Sequence, residues 1–186
     1  MADFTTMLSN RCMVRPVWQQ MFRAYNDYHD DKAPCKVPAI SNQCAVRMSV
    51  ALERCGFSLS AFGHNGNHGN HRRVHRNRRA CQLPVPHLVG AHELAVYLED
   101  IWGAPTRYRG RTLDDAPSAL GGLRGIIYFN NCFTREDQET RRGDHIDLWD
   151  GREFWNIKLG ISAGGGVASN APLFNLADQV WFFPLL

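Results

Sequence analysis

Ser41-Asn42-Gln43-Cys44-Ala45-Val46-Arg47-Met48-Ser49-Val50-Ala51-Leu52-Glu53 is the stretch from which the rest of the chain can be read. Ser41 and Asn42 are residue types whose side-chain oxygens accept from the free N–H groups of a helix first turn. Ala45, Met48, Leu52 and Cys55 then recur at helical spacing, and Gly56 is a natural terminator. The stretch therefore reads as an amphipathic helix with a cysteine in its first turn. At that end the helix dipole favours thiolate over thiol. Cys44 is accordingly a candidate nucleophile, as against the small buried hydrophobe that a cysteine often is.

On the N-terminal side, Trp18, Met21, Phe22, Tyr25 and Tyr28 follow Pro16 at helical spacing and predict an opening helix with an aromatic face turned inward. Asp30-Asp31-Lys32-Ala33-Pro34 ends it, and Val37-Pro38-Ala39-Ile40 is an extended lead-in to the cysteine helix. On the C-terminal side, Gly90 to Gly103 is a further helix with Leu94, Tyr97, Leu98, Ile101 and Trp102 on its apolar face. Asp114 or Asp115 with Pro117 opens a short helical turn ending at Gly121-Gly122. The pattern then changes. Gly125-Ile126-Ile127-Tyr128-Phe129 is a β-run, His145 to Trp149 alternates, Glu153 to Ile157 follows, and Val180-Trp181-Phe182-Phe183 closes the chain. Helices first and antiparallel strands second predict an α+β fold, not a doubly wound sheet. Gly160 to Pro172, with Gly164-Gly165-Gly166, reads as a mobile loop.

The 186 residues suit one domain with a sizeable core, and a hydrophobic fraction of 44% with 21% charge is that of a soluble globular protein. No apolar run reaches bilayer-spanning length, so membrane insertion is not expected. Met1 to Arg11 lacks the basic start and apolar core of a signal peptide, so nothing directs the chain through the general secretory route. The net charge of +3 is unevenly placed: residues 64–79 carry five arginines and no acid, and 3 − 5 = −2 remains for the rest. This segment also holds four histidines, which invites a metal reading, while its arginines invite binding of nucleic acid or another anionic polymer. The histidines follow no zincin pattern and no aromatic offers a stacking surface, so a solvated surface insertion is the reading adopted. A binding module built on 64–79 is the alternative function class. Six cysteines without a CxxC pair exclude a zinc ribbon or thioredoxin-like site. If Cys44 stays free, the other five form at most two disulfides, and compartment decides whether any forms.

A cysteine nucleophile needs a base, and the base needs an orienting partner. His145 is the base. If Asp150-Gly151 is a two-residue hairpin turn, His145 lies opposite Asn156 on one face, roughly 5 Å apart at Cβ. Asn156 then holds one ring nitrogen while the other addresses Cys44, a Cys-His-Asn arrangement suited to acyl transfer. Asp147, about 6.6 Å along the same strand face, is the alternative orienter, and Asp144 a third. For the oxyanion, the Cys44 N–H is one donor, with the side chain of Asn42 or Gln43 as another, although Asn42 equally suits plain capping. His29, His87 and His92 read as structural or surface residues.

Asn42-Gln43-Cys44-Ala45-Val46-Arg47-Met48-Ser49 with Ala51-Leu52 resembles the cysteine motif of the fourth family of type VI secretion amidase effectors. Gly143-Asp144-His145-Ile146-Asp147-Leu148-Trp149 resembles that family's histidine motif. The helix around Glu93-Leu94-Ala95-Tyr97-Leu98 and the closing Val180-Trp181-Phe182-Phe183-Pro184 are similar to it as well. The resemblance covers most of the chain apart from 64–79, so residues 1–186 are expected to form one amidase domain carrying that insertion. It implies a papain-like cysteine peptidase fold and an antibacterial toxin, exported by the type VI apparatus after synthesis in the cytoplasm. Its destination would be the periplasm of a target bacterium, where it cleaves peptidoglycan stem peptides between D-glutamate and meso-diaminopimelate. It also implies a cognate immunity protein, in assemblies with two copies of each, no cofactor, no metal, and no nucleic acid partner. Cys44 would be the nucleophile and His145 the base. The family's third residue is usually an aspartate on the following strand, whereas Asn156 stands at the position opposed here.

Overall fold

Gly125-Ile126-Ile127-Tyr128-Phe129 has no polar alternation because both of its faces are covered. A computed structural model describes residues 15–26, 34–37, 40, 42–57, 59, 74–75, 83, 87–135, 138–155 and 170–186. The elements are α1 (Trp18–Asn26), α2 (Cys44–Arg54), β1 (Val74–His75), β2 (His87–Leu88), α3 (Ala91–Trp102), β3 (Thr106–Arg109), α4 (Thr112–Ala119), β4 (Gly125–Arg135), β5 (Gln138–Trp149), α5 (Asn170–Leu176) and β6 (Gln179–Pro184). Four strands form one antiparallel sheet in the order β3-β6-β4-β5, and β1 pairs separately with β2.

The two faces of the sheet own two cores. Ile126 and Tyr128 of β4, with Trp181 and Phe183 of β6, pack with α1, α2 and α3 through Met21, Tyr25, Met48, Leu52, Leu94 and Leu98. Ile127, Phe129, Val180 and Phe182, of the opposite parity, pack with Ala116 and Leu120 near α4 and with Leu173 and Phe174 of α5. Period-two side-chain alternation thus feeds both layers from the same two strands. A tie across the first layer runs from Arg107 on β3: its guanidinium bonds the Glu99 carboxylate of α3 at 2.6 Å and lies 4.3 Å from the centre of the Trp181 ring.

The predicted α+β class and its principal elements stand. α1 carries Trp18, Met21 and Tyr25 inward; Gly56, Gly103 and Gly122 follow α2, α3 and α4 with positive φ. Three expectations fail. The described part of the Glu153 to Ile157 run, residues 153–155, forms no strand: Trp149 makes an isolated bridge with Phe154, and residue 155 is already helical; residues 156 and 157 lie outside the described residues. The partner of β5 is β4, whose central position the sequence could not reveal. The mobile-loop reading of Gly160 to Pro172 fails at its end, since α5 begins at Asn170, and residues 160–169 lie outside the described residues; Pro172 sits in the first turn, where its missing N–H costs nothing. β3 was not foreseen, because Thr-Arg-Tyr-Arg is a largely exposed edge strand with no apolar alternation. Of the 64–79 insertion only Val74 and His75 are described, in β1; its reading as a solvated loop otherwise lies outside the described residues, as do Tyr28 and His29.

Candidate active site

α2 is buried all round, not amphipathic: every residue from Cys44 to Leu52 is inside, including Arg47 and Ser49. Its polar members are used as ties. The Leu88 N–H donates to Ser49 Oγ at 3.0 Å, anchoring β2. Gln43, buried just before the helix, accepts the Cys35 N–H on Oε1 at 3.0 Å and donates from Nε2 to the carbonyls of Cys35 and Ile40. Its amide therefore holds the lead-in segment and has no donor left for an oxyanion. Asn42 accepts the Cys44 N–H on Oδ1 at 3.2 Å, the capping alternative of the two roles read for it. The result is a nucleophile candidate at a helix N-terminus whose approach is fixed from both sides.

β5 brings the partners. It is the outer strand of the sheet, so alternate N–H groups lie outside the β4 ladder. The Ile146 N–H reaches the Cys44 sulfur, and the Leu148 N–H donates to Asp147 Oδ1 at 2.8 Å. His145 and Asp147, two apart on this strand, meet with Nε2 and Oδ2 at 3.5 Å, and both are wholly buried. Neither ring nitrogen closes a hydrogen bond of ordinary length. The imidazole is held by charge between the Asp147 carboxylate and the Cys44 thiol. Tyr25 of α1 completes the group, its hydroxyl donating to Asp147 Oδ1 at 3.0 Å.

The electrostatics favour an ion pair. Burial alone raises the Cys44 thiol, but His145, the Ile146 N–H and the Arg47 guanidinium outweigh it and bring the group below its ordinary value of 9.0. Burial likewise opposes charge on His145, yet Asp147 and Cys44 overcome it and push the imidazole up to about 9. Such a site favours a thiolate on Cys44 beside a protonated His145 imidazole.

Cys44, His145 and Asp147 are thus brought together. Asn156 lies outside the described residues; within them, Trp149 bridges Phe154 and not Arg152, the partner a two-residue turn would give it. Asp150 instead opens a wider turn: its Oδ1 accepts the N–H groups of Arg152 and Glu153, both at 2.9 Å, and its N–H donates to the Glu153 carbonyl at 3.2 Å. Asp144, the third orienter considered, pins a β-bulge, accepting the Asn131 N–H at 2.9 Å and Asn130 Nδ2 at 3.2 Å. His92 pairs through Nδ1 with the Tyr128 hydroxyl at 2.9 Å, and His87 is buried in β2. Tyr25 and Arg47 were missed as site residues. Tyr25 is indistinguishable in sequence from the rest of an aromatic helix face; Arg47, a charge one turn after the cysteine in an otherwise apolar register, was a readable signal. Among the described residues Cys44, Cys55 and Cys132 are free thiols, and no cluster of His, Cys, Asp or Glu is arranged to hold a metal.

The family model described as type VI secretion system (T6SS) amidase effector protein 4, Tae4, matches residues 40–183. The chain belongs to the Tae4 family. It is therefore an amidase effector of the type VI secretion system, a hydrolase acting on the peptidoglycan of the cell wall. No match is found among curated protein sequences. Among solved structures, the chain is similar to Tae4 of Enterobacter cloacae in its effector–immunity complex with Tai4, at 14% identity and TM-score 0.62, with 93% of this chain and 100% of that one covered. It is similar to the same effector alone at 15% identity and TM-score 0.60, covering 94% and 99%. A third is the Salmonella typhimurium effector bound to Enterobacter cloacae Tai4, at 16% identity and TM-score 0.54, covering 92% and 100%. At these identities the likeness establishes the fold, which is the papain-like one. Tae4 membership also replaces the binding-module alternative with an enzyme.

Proposed function

We propose that this Tae4 member hydrolyses the amide bond between D-glutamate and meso-diaminopimelate in peptidoglycan stem peptides, using Cys44 as nucleophile, His145 as acid and base, and Asp147 as orienter. The observation that carries the reading is the buried His145 set between the Cys44 thiol and the Asp147 carboxylate, with Nε2 and Oδ2 at 3.5 Å.

The chemistry follows from the charge state. The Cys44 thiolate attacks the D-glutamyl side-chain carbonyl, and a C–S bond forms as the carbonyl electron pair moves onto oxygen. The Cys44 N–H, at the positive end of α2, is the oxyanion donor on hand. Its present partner is Asn42 Oδ1 at 3.2 Å, a long bond that an anionic oxygen displaces. Collapse breaks the C–N bond while the His145 imidazolium protonates the departing diaminopimelate amine. Neutral His145 then takes a proton from water, the hydroxide equivalent attacks the thioester, and the C–S bond breaks to return thiolate and imidazolium. Asp147 holds the ring and stabilises its charged form throughout.

The setting is extended from the family. The effector is synthesised in the cytoplasm, passed through the type VI apparatus and delivered to the target cell's periplasm, while a cognate immunity protein protects the producer. Solved Tae4 relatives in complex with Tai4 support such a partner.

Digestion of purified sacculi followed by mass spectrometry tests the reading. The expected product pair is a stem ending in D-glutamate and a fragment with a free diaminopimelate amine, absent when Cys44→Ala replaces the wild type. Cleavage at a different bond overturns the substrate assignment, and turnover by Cys44→Ala overturns the thiol mechanism.

A further inference from the structure

The reaction scheme leaves out the polar groups on the helix side of β4, beside the nucleophile. Tyr128 stands opposite Ile146 in the β4–β5 ladder, and the Ile146 N–H reaches the Cys44 sulfur. One strand spacing, about 4.8 Å, therefore separates the Tyr128 backbone from the residue that touches the thiol. The Tyr128 ring rises into the layer of α3, where its hydroxyl meets His92 Nδ1 at 2.9 Å. His92 is exposed at the start of α3, its ring edge-on to Trp181 with centroids 6.2 Å apart. It makes no other hydrogen bond among the described residues, so its second ring nitrogen, Nε2, is open.

The hydrogens of this group can be assigned. Asp144 is an acceptor only, so the Asn130 atom 3.2 Å from its Oδ1 is the amide nitrogen. The other hydrogen of that nitrogen goes to the Tyr128 oxygen at 3.1 Å. The phenol's own hydrogen has two acceptors nearby, His92 Nδ1 and Asp144. Asp144 Oδ1 already takes the Asn131 N–H and Asn130, and His92 Nδ1 is the acceptor at ordinary bond length. Burial, then the charge of Asp144, hold the phenol protonated well above its ordinary range, so that hydrogen is a constant feature. A neutral His92 that accepts on Nδ1 carries its hydrogen on Nε2, and an imidazolium carries one there too. The open nitrogen is a donor in both states.

We propose that His92 is a specificity residue of the amidase, its Nε2–H binding a free carboxylate of the stem peptide while the scissile amide lies at Cys44. This rests on the amidase reading given above, in which the D-glutamyl and diaminopimelyl units bring carboxylates to both sides of the cleaved bond. An anionic oxygen is the strongest partner for an N–H donor. Tyr128, backed by Asn130, keeps the imidazole from turning, so the donor is aimed before substrate arrives and less ordering is lost on binding.

His92→Phe and His92→Gln are compared with the wild type on the stem L-alanyl-D-glutamyl-diaminopimelyl-D-alanine and on analogues in which each carboxylate in turn is replaced by its amide. The expected result for His92→Phe is a KM on the intact stem raised roughly three- to tenfold, with kcat within about twofold, the pattern of lost binding. One amide analogue raises the wild-type KM by a similar factor but adds less than about twofold in His92→Phe, and that analogue identifies the carboxylate. His92→Gln, whose side-chain amide keeps an N–H donor near the Nε2 position, recovers most of the loss. Long-range proton–nitrogen spectra of the wild type show the neutral His92 ring with its hydrogen on Nε2. An unchanged KM in His92→Phe, a His92→Gln KM as high as that of His92→Phe, equal amide penalties in His92→Phe and wild type, or a neutral ring with its hydrogen on Nδ1 overturns the proposal. Product masses keep such a failure apart from that of the amidase reading, which stands wherever the bond between D-glutamate and diaminopimelate is cut by the wild type and not by Cys44→Ala.

Discussion

At the residue scale the pH profile is the most direct consequence of the site. In the proposed mechanism the productive state needs thiolate on Cys44 and a proton on His145. It exists above the thiol's depressed pKa and below the imidazole's raised one, about 9. A bell-shaped kcat/KM profile is expected, with its acid limb below the ordinary thiol value and its alkaline limb near pH 9. Asp147→Asn keeps the shape but removes the charge that helps raise His145. Its alkaline limb should move down by about a unit and its kcat should fall at least about tenfold; a profile identical to wild type would return the orienting role to Asn156. Cys44 was legible at this scale because helix caps, spacing and a terminator are all local in sequence. His145 was legible because it begins an alternating strand. Asn156 was favoured over Asp147 through an assumed two-residue turn, and the turn that forms at Asp150 is a wider one.

At the element scale the turn after β5 explains that difference. Asp150-Gly151 has the composition of a two-residue hairpin, but Gly151 is spent on a different contact. Its φ is +98°, and a Cβ there would sit 2.9 Å from the Gly122 Cα, because the two backbones touch and the Gly122 N–H donates to the Gly151 carbonyl at 3.0 Å. Gly151→Ala should therefore cost about 1–3 kcal/mol, read as a lower melting temperature, with the pH limits of activity preserved. The β-bulge in β4 offers a second test. Asn131 holds φ at 53°, uncommon for a residue with a Cβ, and the Asp144 carboxylate beside it supplies the acceptor. Asp144→Ala leaves the Asn131 N–H without that acceptor, and should destabilise by about 1–3 kcal/mol in denaturant titration. If Asp144 instead oriented His145, the alkaline limb of activity would shift with it. Strands β4 and β6 were legible as strands because continuous apolar runs need cover on both faces; β3 was not, because an exposed edge leaves no apolar trace.

At the scale of the whole molecule, the two ends of the described chain close the fold. The Trp18 N–H of α1 donates to the Leu186 carbonyl at 2.7 Å, and Arg15 donates to the carbonyls of Trp102 and Pro184 at 2.6 and 3.3 Å. Leu185 is buried and its N–H donates to the Arg124 carbonyl at 3.0 Å. Removing Leu185 and Leu186 loses the Trp18–Leu186 and Leu185–Arg124 bonds together with one buried leucine, about 2–4 kcal/mol in all, and loosens the helix that carries Tyr25. Activity is expected to fall more steeply with temperature than in the full chain; an unchanged melting curve would show that α1 is held by its aromatic face alone. What the sequence by itself determined is what its local patterns carry: an α+β chain, a cysteine at a helix start, a histidine on a strand and the order of the main elements. What only the tertiary structure decided is which distant groups meet. β5 pairs with β4 and exposes its other edge to α2, so Cys44, His145 and Asp147 meet there. Tyr25 reaches Asp147 because α1 packs against α2, which itself packs on β5. Spacing along a chain reports neighbours within an element, whereas the partner of a strand edge is set by packing between elements.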